Sequence, residues 1–261
     1  MAGNSKLSVL SIGSIIALVG LIGFGIYQYG LKATSTPVAD KEFGEKVRGY
    51  LMANPYVLRD VIEELKAQEQ LAASQQQSAT LASLSDELKN DPSSFVAGNP
   101  DGDVTIVEFF DYRCGYCKRN FPDLMKTVED DGNIRLVLKE FPILGEDSVL
   151  ASQAAIASIS QGKYMEFHTA LMAVRGGLTK DRILNIASDV GLDVQKLEED
   201  MQGEAVQNII RKNYSLAQQL GVNGTPAFVI EDTFYPGAAT AEQMEKLIVA
   251  AREKKKTTAT N

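Results

Sequence analysis

Apolar residues recur along this chain with two spacings. Over long stretches they fall every three or four positions, the period of a helix with one buried face. In a few short runs they are contiguous and rich in β-branched and aromatic residues, which marks a buried strand. The first apolar stretch, residues 7–31, carries no charge and is bracketed by Lys6 and Lys32. It is long enough to cross a bilayer as a helix, which takes about 20 residues; a secretory signal peptide is the rival reading. Residues 33–40 form a polar linker. Residues 41–66 give two helical pieces, one with Phe43, Val47, Tyr50 and Leu51 on a face and one with Leu58, Val61, Ile62 and Leu65, broken at Asn54-Pro55. Residues 67–90 are rich in Gln, Ala and Ser, with Leu71, Leu81, Leu84 and Leu88 spaced along them. They read either as an exposed spacer or as part of an oligomerisation stalk.

Turn residues at 91–92 and 98–102 open a new region. Residues 105–110 predict a strand, and a helix follows from about Tyr116 with Phe121, Leu124, Met125 and Val128 on one face. Residues 134–141 predict a second strand. A helical block then runs to residue 220, in pieces at roughly 148–161, 163–174, 180–190, 193–201 and 204–220. Residues 227–230 and 233–235 predict two more strands, and Thr240 with Gln243 forms a capping box that opens the last helix.

Composition adds two constraints. The net charge is −8 and no basic surface stands out, which argues against a nucleic-acid partner. The chain has two cysteines, both in Cys114-Gly115-Tyr116-Cys117. A structural zinc site needs four ligands, and the only histidine is His168, so no partner set exists for the pair. A redox-active dithiol remains. Cys114 sits where a strand hands over to a helix, so first-turn N–H groups and the helix dipole can stabilise its thiolate, which needs to be exposed to attack. Cys117, one turn later, faces the core and resolves the mixed disulfide. Glu108 is an acid in an otherwise apolar strand. It reads either as a buried carboxyl that moves the Cys117 proton or as a side chain reaching a lysine such as Lys139. His168, well inside the helical block, reads as a packing residue.

Several segments together resemble one family. They are Val-Glu-Phe-Phe-Asp-Tyr-Arg-Cys-Gly-Tyr-Cys at 107–117, Pro122, Glu-Phe-Pro-Ile-Leu-Gly at 140–145, Glu-Phe-His at 166–168, Gly-Thr-Pro-Ala-Phe at 224–228 and Tyr-Pro-Gly at 235–237. From about 91 to 261 the chain resembles the DsbA-like branch of the thioredoxin superfamily. The resemblance implies an α/β thioredoxin fold with a helical insertion at about 147–221. It implies a redox-active disulfide between Cys114 and Cys117, and a proton-relay role for Glu108. It also implies a cis peptide before Pro226, so that Thr225 and Pro226 bind substrate beside Gly115 and Tyr116. Residues 41–66 are similar to the amino-terminal extension of exported proteins of the ScsC group.

The expected organisation is therefore an anchor or signal at 1–32, a helical stalk at 33–90 and the thioredoxin domain at 91–261. The expected function is thiol–disulfide exchange in cysteine-containing proteins of the periplasm or cell envelope. A membrane redox partner, no cofactor, no metal and a homo-oligomer through residues 41–90 complete that expectation. Its direction stays open: Gly115-Tyr116 lacks the histidine of the family's strong oxidases, and this spacer, like Thr225, resembles that of isomerases. The alternative is an envelope Cu(I)-binding or chaperone module that uses the same thiols.

Overall fold

A computed structural model describes residues 40–259. They belong to two units, divided between Gln68 and Glu69. In the first, the Asp40 side chain accepts from the amides of Glu42 and Phe43 and so caps the helix Lys41–Ala53 (α1). Asn54 ends α1 and Pro55 opens the helix Pro55–Ser83 (α2), at the position where proline's missing N–H costs least. No residue of α1 is buried, and Phe43, Tyr50, Met52, Val61 and Leu65 are each more than half exposed. The expected bilayer-spanning segment at 7–31 lies outside the described residues. Among the described residues no helix is long and apolar enough to cross a membrane.

In the second unit, Leu81 and Leu84 at the end of α2 and Leu88 in the short helix Ser85–Lys89 (α3) are buried. This corrects the reading of residues 67–90 as an exposed spacer at its end only, since residues 67–79 are exposed. The leucines share a core cluster with Val107, Phe109, Val137 and Val229, so the end of the helix covers a sheet face.

That sheet has five strands: Phe95–Gly98 (β1), Val104–Phe110 (β2), Ile134–Glu140 (β3), Ala227–Ile230 (β4) and Thr233–Pro236 (β5). Their spatial order is β1-β3-β2-β4-β5. β2 and β3 are parallel, and the other three pairings are antiparallel. The helix Gly115–Asp131 (α4) makes the crossover that a parallel pair requires. β1 is not predicted by the sequence pattern, because it runs directly into the turn residues at 98–102. Gly98 closes it with φ at 70°, and a side chain there would meet the Ile134 carbonyl oxygen at 2.5 Å.

Five helices follow β3: Glu146–Ser158 (α5), Tyr164–Ala173 (α6), Lys180–Asp189 (α7), Val194–Asp200 (α8) and Glu204–Gln219 (α9). They are the helical insertion that the resemblance implies. The last helix, Ala241–Ala259 (α10), starts at the expected capping box: Thr240 N–H donates to Gln243 Oε1 at 2.9 Å, and Gln243 N–H to Thr240 Oγ1 at 3.2 Å. Side chains alternate across β2. Ile106 and Phe110 join a core with Phe121 and Leu124 of α4, Phe167 and Leu171 of α6, and Met244 and Ile248 of α10. Val107 and Phe109 face the opposite side, against α3 and the end of α9. With both faces covered, β2 is buried along its whole length and delivers the chain to a fixed point at Phe110.

Candidate active site

Beyond Phe110 the chain turns tightly, and Cys114 N–H donates to the Asp111 carbonyl at 3.0 Å. The Asp111 carboxylate accepts from the N–H groups of Arg113 (2.6 Å), Ile143 (2.8 Å) and Leu144 (2.9 Å) and from the Ser148 hydroxyl (2.8 Å). It therefore ties the thiol-bearing turn to the loop after β3. Cys114 is the N-cap of α4, and its sulfur accepts from Cys117 N–H at 3.4 Å. The Thr225–Pro226 peptide is cis, as the resemblance implies. From there the Thr225 carbonyl reaches the site and accepts from the Cys114 thiol at 3.0 Å. Both cysteines are free thiols.

The two sulfurs differ sharply in acidity. Cys114 is lowered from 9.0 to about 6, chiefly by its hydrogen bond with the Cys117 thiol, with help from Thr225 and the N–H groups of Cys117 and Tyr116 and against the effect of burial. Cys117 is raised far above the ordinary thiol range, first by burial and then by Cys114 and Glu108. One thiol is thus a ready anion and the other is held protonated. Alkylation of Cys114 by iodoacetamide is accordingly expected to follow a single titration with its midpoint near pH 6. A midpoint near the ordinary thiol value would contradict the geometry described.

Cys114 departs from the expected exposed nucleophile: it is 5 % exposed. Beside the cis peptide lies an apolar groove of about 450 Å³ lined by Tyr116, Val222, Thr225, Pro226, Phe234 and Pro236. Tyr116 itself stands out in solvent, with the Arg119 guanidinium 4.6 Å from its ring centre. Gly115 is the first residue of α4. The structure therefore gathers Cys114, Cys117, Gly115, Tyr116, Thr225 and Pro226 at one end of the sheet.

Glu108 is buried on the α4 side of β2, and burial, followed by Cys114 and Glu140, pushes its carboxyl up to about 8. The alternative contact with Lys139 is absent. Lys139 stands opposite Phe109 in the β2–β3 register and so points to the other face. There its Nζ donates to Asp91 Oδ2 at 3.3 Å and to the Glu87 carbonyl at 3.0 Å. His168 is fully buried with its ring against Phe110, Phe121 and Tyr164. Burial lowers it to about 3, so the ring is neutral, in keeping with a packing role.

Reasoning from the sequence missed the polar group around His168. Its Nδ1 lies 2.8 Å from the Tyr112 hydroxyl, which donates to Glu140 Oε1 at 2.9 Å. Glu140 also accepts from Tyr164 and Ser152. Glu140 and His168 both lie in segments that carry the resemblance, but no spacing rule pairs them.

Residues 105–249, more than half of the chain, match the DSBA-like thioredoxin domain. This chain belongs to the DsbA-like thioredoxin family. Residues 41–72 of this DsbA-like protein also match the copper resistance protein ScsC N-terminal domain. Among solved structures, a thioredoxin-like oxidoreductase from Silicibacter pomeroyi is 48% identical, with 64% of this chain and 97% of that one covered and a TM-score of 0.63. Proteus mirabilis ScsC in a transitional conformation is 31% identical, with 85% and 99% covered and a TM-score of 0.62. A thiol-disulfide exchange protein from Wolbachia pipientis is 28% identical, with 69% and 97% covered and a TM-score of 0.64. The chain spans about a quarter of the length of the curated relatives it matches first, such as the Na(+)/H(+) antiporter NhaA of Salinispora arenicola, 28% identical over 158 residues.

Proposed function

We propose that this DsbA-like protein catalyses thiol–disulfide exchange in cysteine-containing proteins through Cys114 and Cys117. The observation that carries this is the Cys114 sulfur, held between the first amides of α4 and the Thr225 carbonyl, with a protonated Cys117 beneath it. In the reducing direction the Cys114 thiolate attacks a substrate disulfide. A bond forms from Cys114 to one substrate sulfur, and the other leaves as a thiolate. Cys117 then gives up its proton and attacks Cys114 Sγ. The substrate's second sulfur leaves, and a disulfide between Cys114 and Cys117 remains. The reverse sequence oxidises substrate thiols. Glu108 takes or returns the Cys117 proton, a role for which a carboxyl pushed to about 8 is suited at neutral pH. An extended substrate segment lies along the groove beside Thr225 and Pro226, with Gly115 and Tyr116 at its edge.

The direction of exchange is set by a redox partner in the membrane and by the potential of the pair; Gly115-Tyr116 and Thr225 support an isomerase-like member. The apolar stretch at 7–31 supports export to the periplasm or cell envelope, held there by an anchor or released after cleavage. The exposed apolar side chains of α1 and α2, with the match of residues 41–72, support a homo-oligomer through residues 41–90. Light scattering is expected to give more than one chain per particle, and a monomer would end that part of the proposal.

The exchange itself is tested with a disulfide-bonded peptide and a Cys117→Ser variant. Mass spectrometry is expected to find the peptide trapped on Cys114, because the thiol that releases it is gone. No adduct, together with Cu(I) binding that is lost in Cys114→Ser, would favour the metal-binding alternative.

A further inference from the structure

Two buried carboxyls share one face of the sheet. In the parallel register Glu108 of β2 stands opposite Leu138 and Glu140 of β3 stands opposite Phe110. Both side chains therefore project to the α4 side, two positions apart. They are 1 % and 2 % exposed. Burial pushes each up to about 8, and the Glu140 charge also raises Glu108, so the two titrate as an interacting pair.

Their hydrogen bonding is unequal. Glu140 Oε1 accepts from Tyr112 Oη at 2.9 Å and Tyr164 Oη at 2.8 Å, and its Oε2 accepts from Ser152 Oγ at 2.7 Å. Among the described residues Glu108 Oε2 has no hydrogen-bond partner. Three hydroxyl donors stabilise a carboxylate and do far less for a carboxylic acid. The other groups that face the pair are Asp111 from the thiol-bearing turn, Cys114 and Cys117 from α4 and its cap, and His168 from α6. None supplies a positive charge, since His168 is neutral. Among the described residues no cation acts on Glu108 to offset the missing donors.

We propose that Glu140 takes the first negative charge of this buried pair and thereby keeps the proton on Glu108. Two charges side by side in a dry interior repel, so an ionised Glu140 makes ionisation of Glu108 harder. Glu140 is then a positioning residue that acts through Glu108. Its effect on exchange rests on the proposed role of Glu108 at Cys117. When a substrate thiolate attacks Cys114 of the disulfide form, the bond to Cys117 breaks. Cys117 leaves as a thiolate and takes the proton that Glu108 has kept.

A second consequence involves His168. Tyr112 has one hydroxyl proton and two neighbours for it, Glu140 and His168 Nδ1. An ionised Glu140 claims that proton. His168 must then carry its own proton on Nδ1 and donate it to Tyr112, leaving Nε2, which has no partner, bare. His168 is the chain's only histidine, so a sample labelled on histidine nitrogen reports on it alone.

The test follows the carboxylic-acid C=O bands by infrared spectroscopy as pH is raised through the pair's titration. The first band lost is expected to be the one missing from Glu140→Gln, and the later one the band missing from Glu108→Gln. In Glu140→Gln the Glu108 band is expected to disappear about one pH unit lower than in the parent. Nitrogen NMR of the parent, past the first step, is expected to show His168 protonated on Nδ1. A first band that belongs to Glu108, or a proton on Nε2 past that step, overturns the proposal. The NMR arm needs no variant, so it decides even where a substitution prevents folding. Neither arm needs substrate or turnover. Failed exchange with the charge order intact would therefore count against the proposed function alone, and a reversed order with exchange intact against this proposal alone.

Discussion

Replacing Cys114 with serine is expected to slow exchange with a disulfide-bonded peptide by on the order of 10³-fold or more. The fold supplies the reason for so large an effect. Serine preserves the oxygen-for-sulfur N-cap of α4, so the turn and the helix behind it stay formed. It removes the nucleophilic thiolate, since a hydroxyl in the same place stays protonated at neutral pH. Cys117 does not substitute, because burial holds it protonated and beneath the surface. Stopped-flow or quenched assays of peptide reduction measure the effect. Residual exchange within tenfold of the parent would show that the chemistry does not pass through Cys114.

The largest stability effect is expected far from the thiols, at Asp91. Asp91→Ala is expected to lower the unfolding free energy by about 3–5 kcal/mol, read from urea denaturation at neutral pH. Lys139 is fully buried, and its ammonium has two partners: the Asp91 carboxylate at 3.3 Å and the Glu87 carbonyl at 3.0 Å. Removing the carboxylate leaves a charge without a counter-charge in the core between the sheet and α3. The cost falls on the charge that remains, so the double variant with Lys139→Met is expected to recover most of the loss. Acid should act in the same direction. Although burial opposes it, the hydrogen bonds from Ser93 and the charge of Lys139 hold the folded Asp91 at about 2, below the ordinary 3.8. Its contribution is therefore complete above the ordinary value and is lost as pH falls through about 2. A loss below about 1 kcal/mol in Asp91→Ala would mean that Lys139 finds another partner.

Much of this architecture can be read from local pattern. The contiguous apolar run at 105–110, the cysteines at its end and the helical periods of the insertion depend on neighbours in sequence, and the structure keeps them where the pattern puts them. β1 escapes such a reading because four residues that end in turn chemistry carry little periodic signal. Leu81, Leu84 and Leu88 have a legible helical spacing but no legible destination: their partners Val107, Val137 and Val229 come from three distant strands. The cluster around Glu140 fails for the same reason. Its donors Ser152, Tyr164 and Tyr112 lie 12, 24 and 28 positions away, on three different elements. In the strand Ile134–Glu140, Lys139 and Glu140 are adjacent polar residues whose destinations the local pattern does not assign. Alternation instead sends them to opposite buried faces, one to Asp91 and one to the hydroxyls. Even the nucleophile shows this limit. Its place before a helix is legible, whereas the Thr225 carbonyl that covers it arrives from 111 positions downstream.

The proposed exchange requires Cys114 and Cys117 to form a reversible redox pair. It is tested most directly by equilibrating the protein with mixtures of reduced and oxidised glutathione, quenching in acid and counting free thiols by mass. A single two-electron transition from dithiol to an intramolecular disulfide is expected, with a defined potential and with no transition in Cys114→Ser. Thiols that stay reduced across all mixtures, or that only accumulate glutathione adducts, would contradict it.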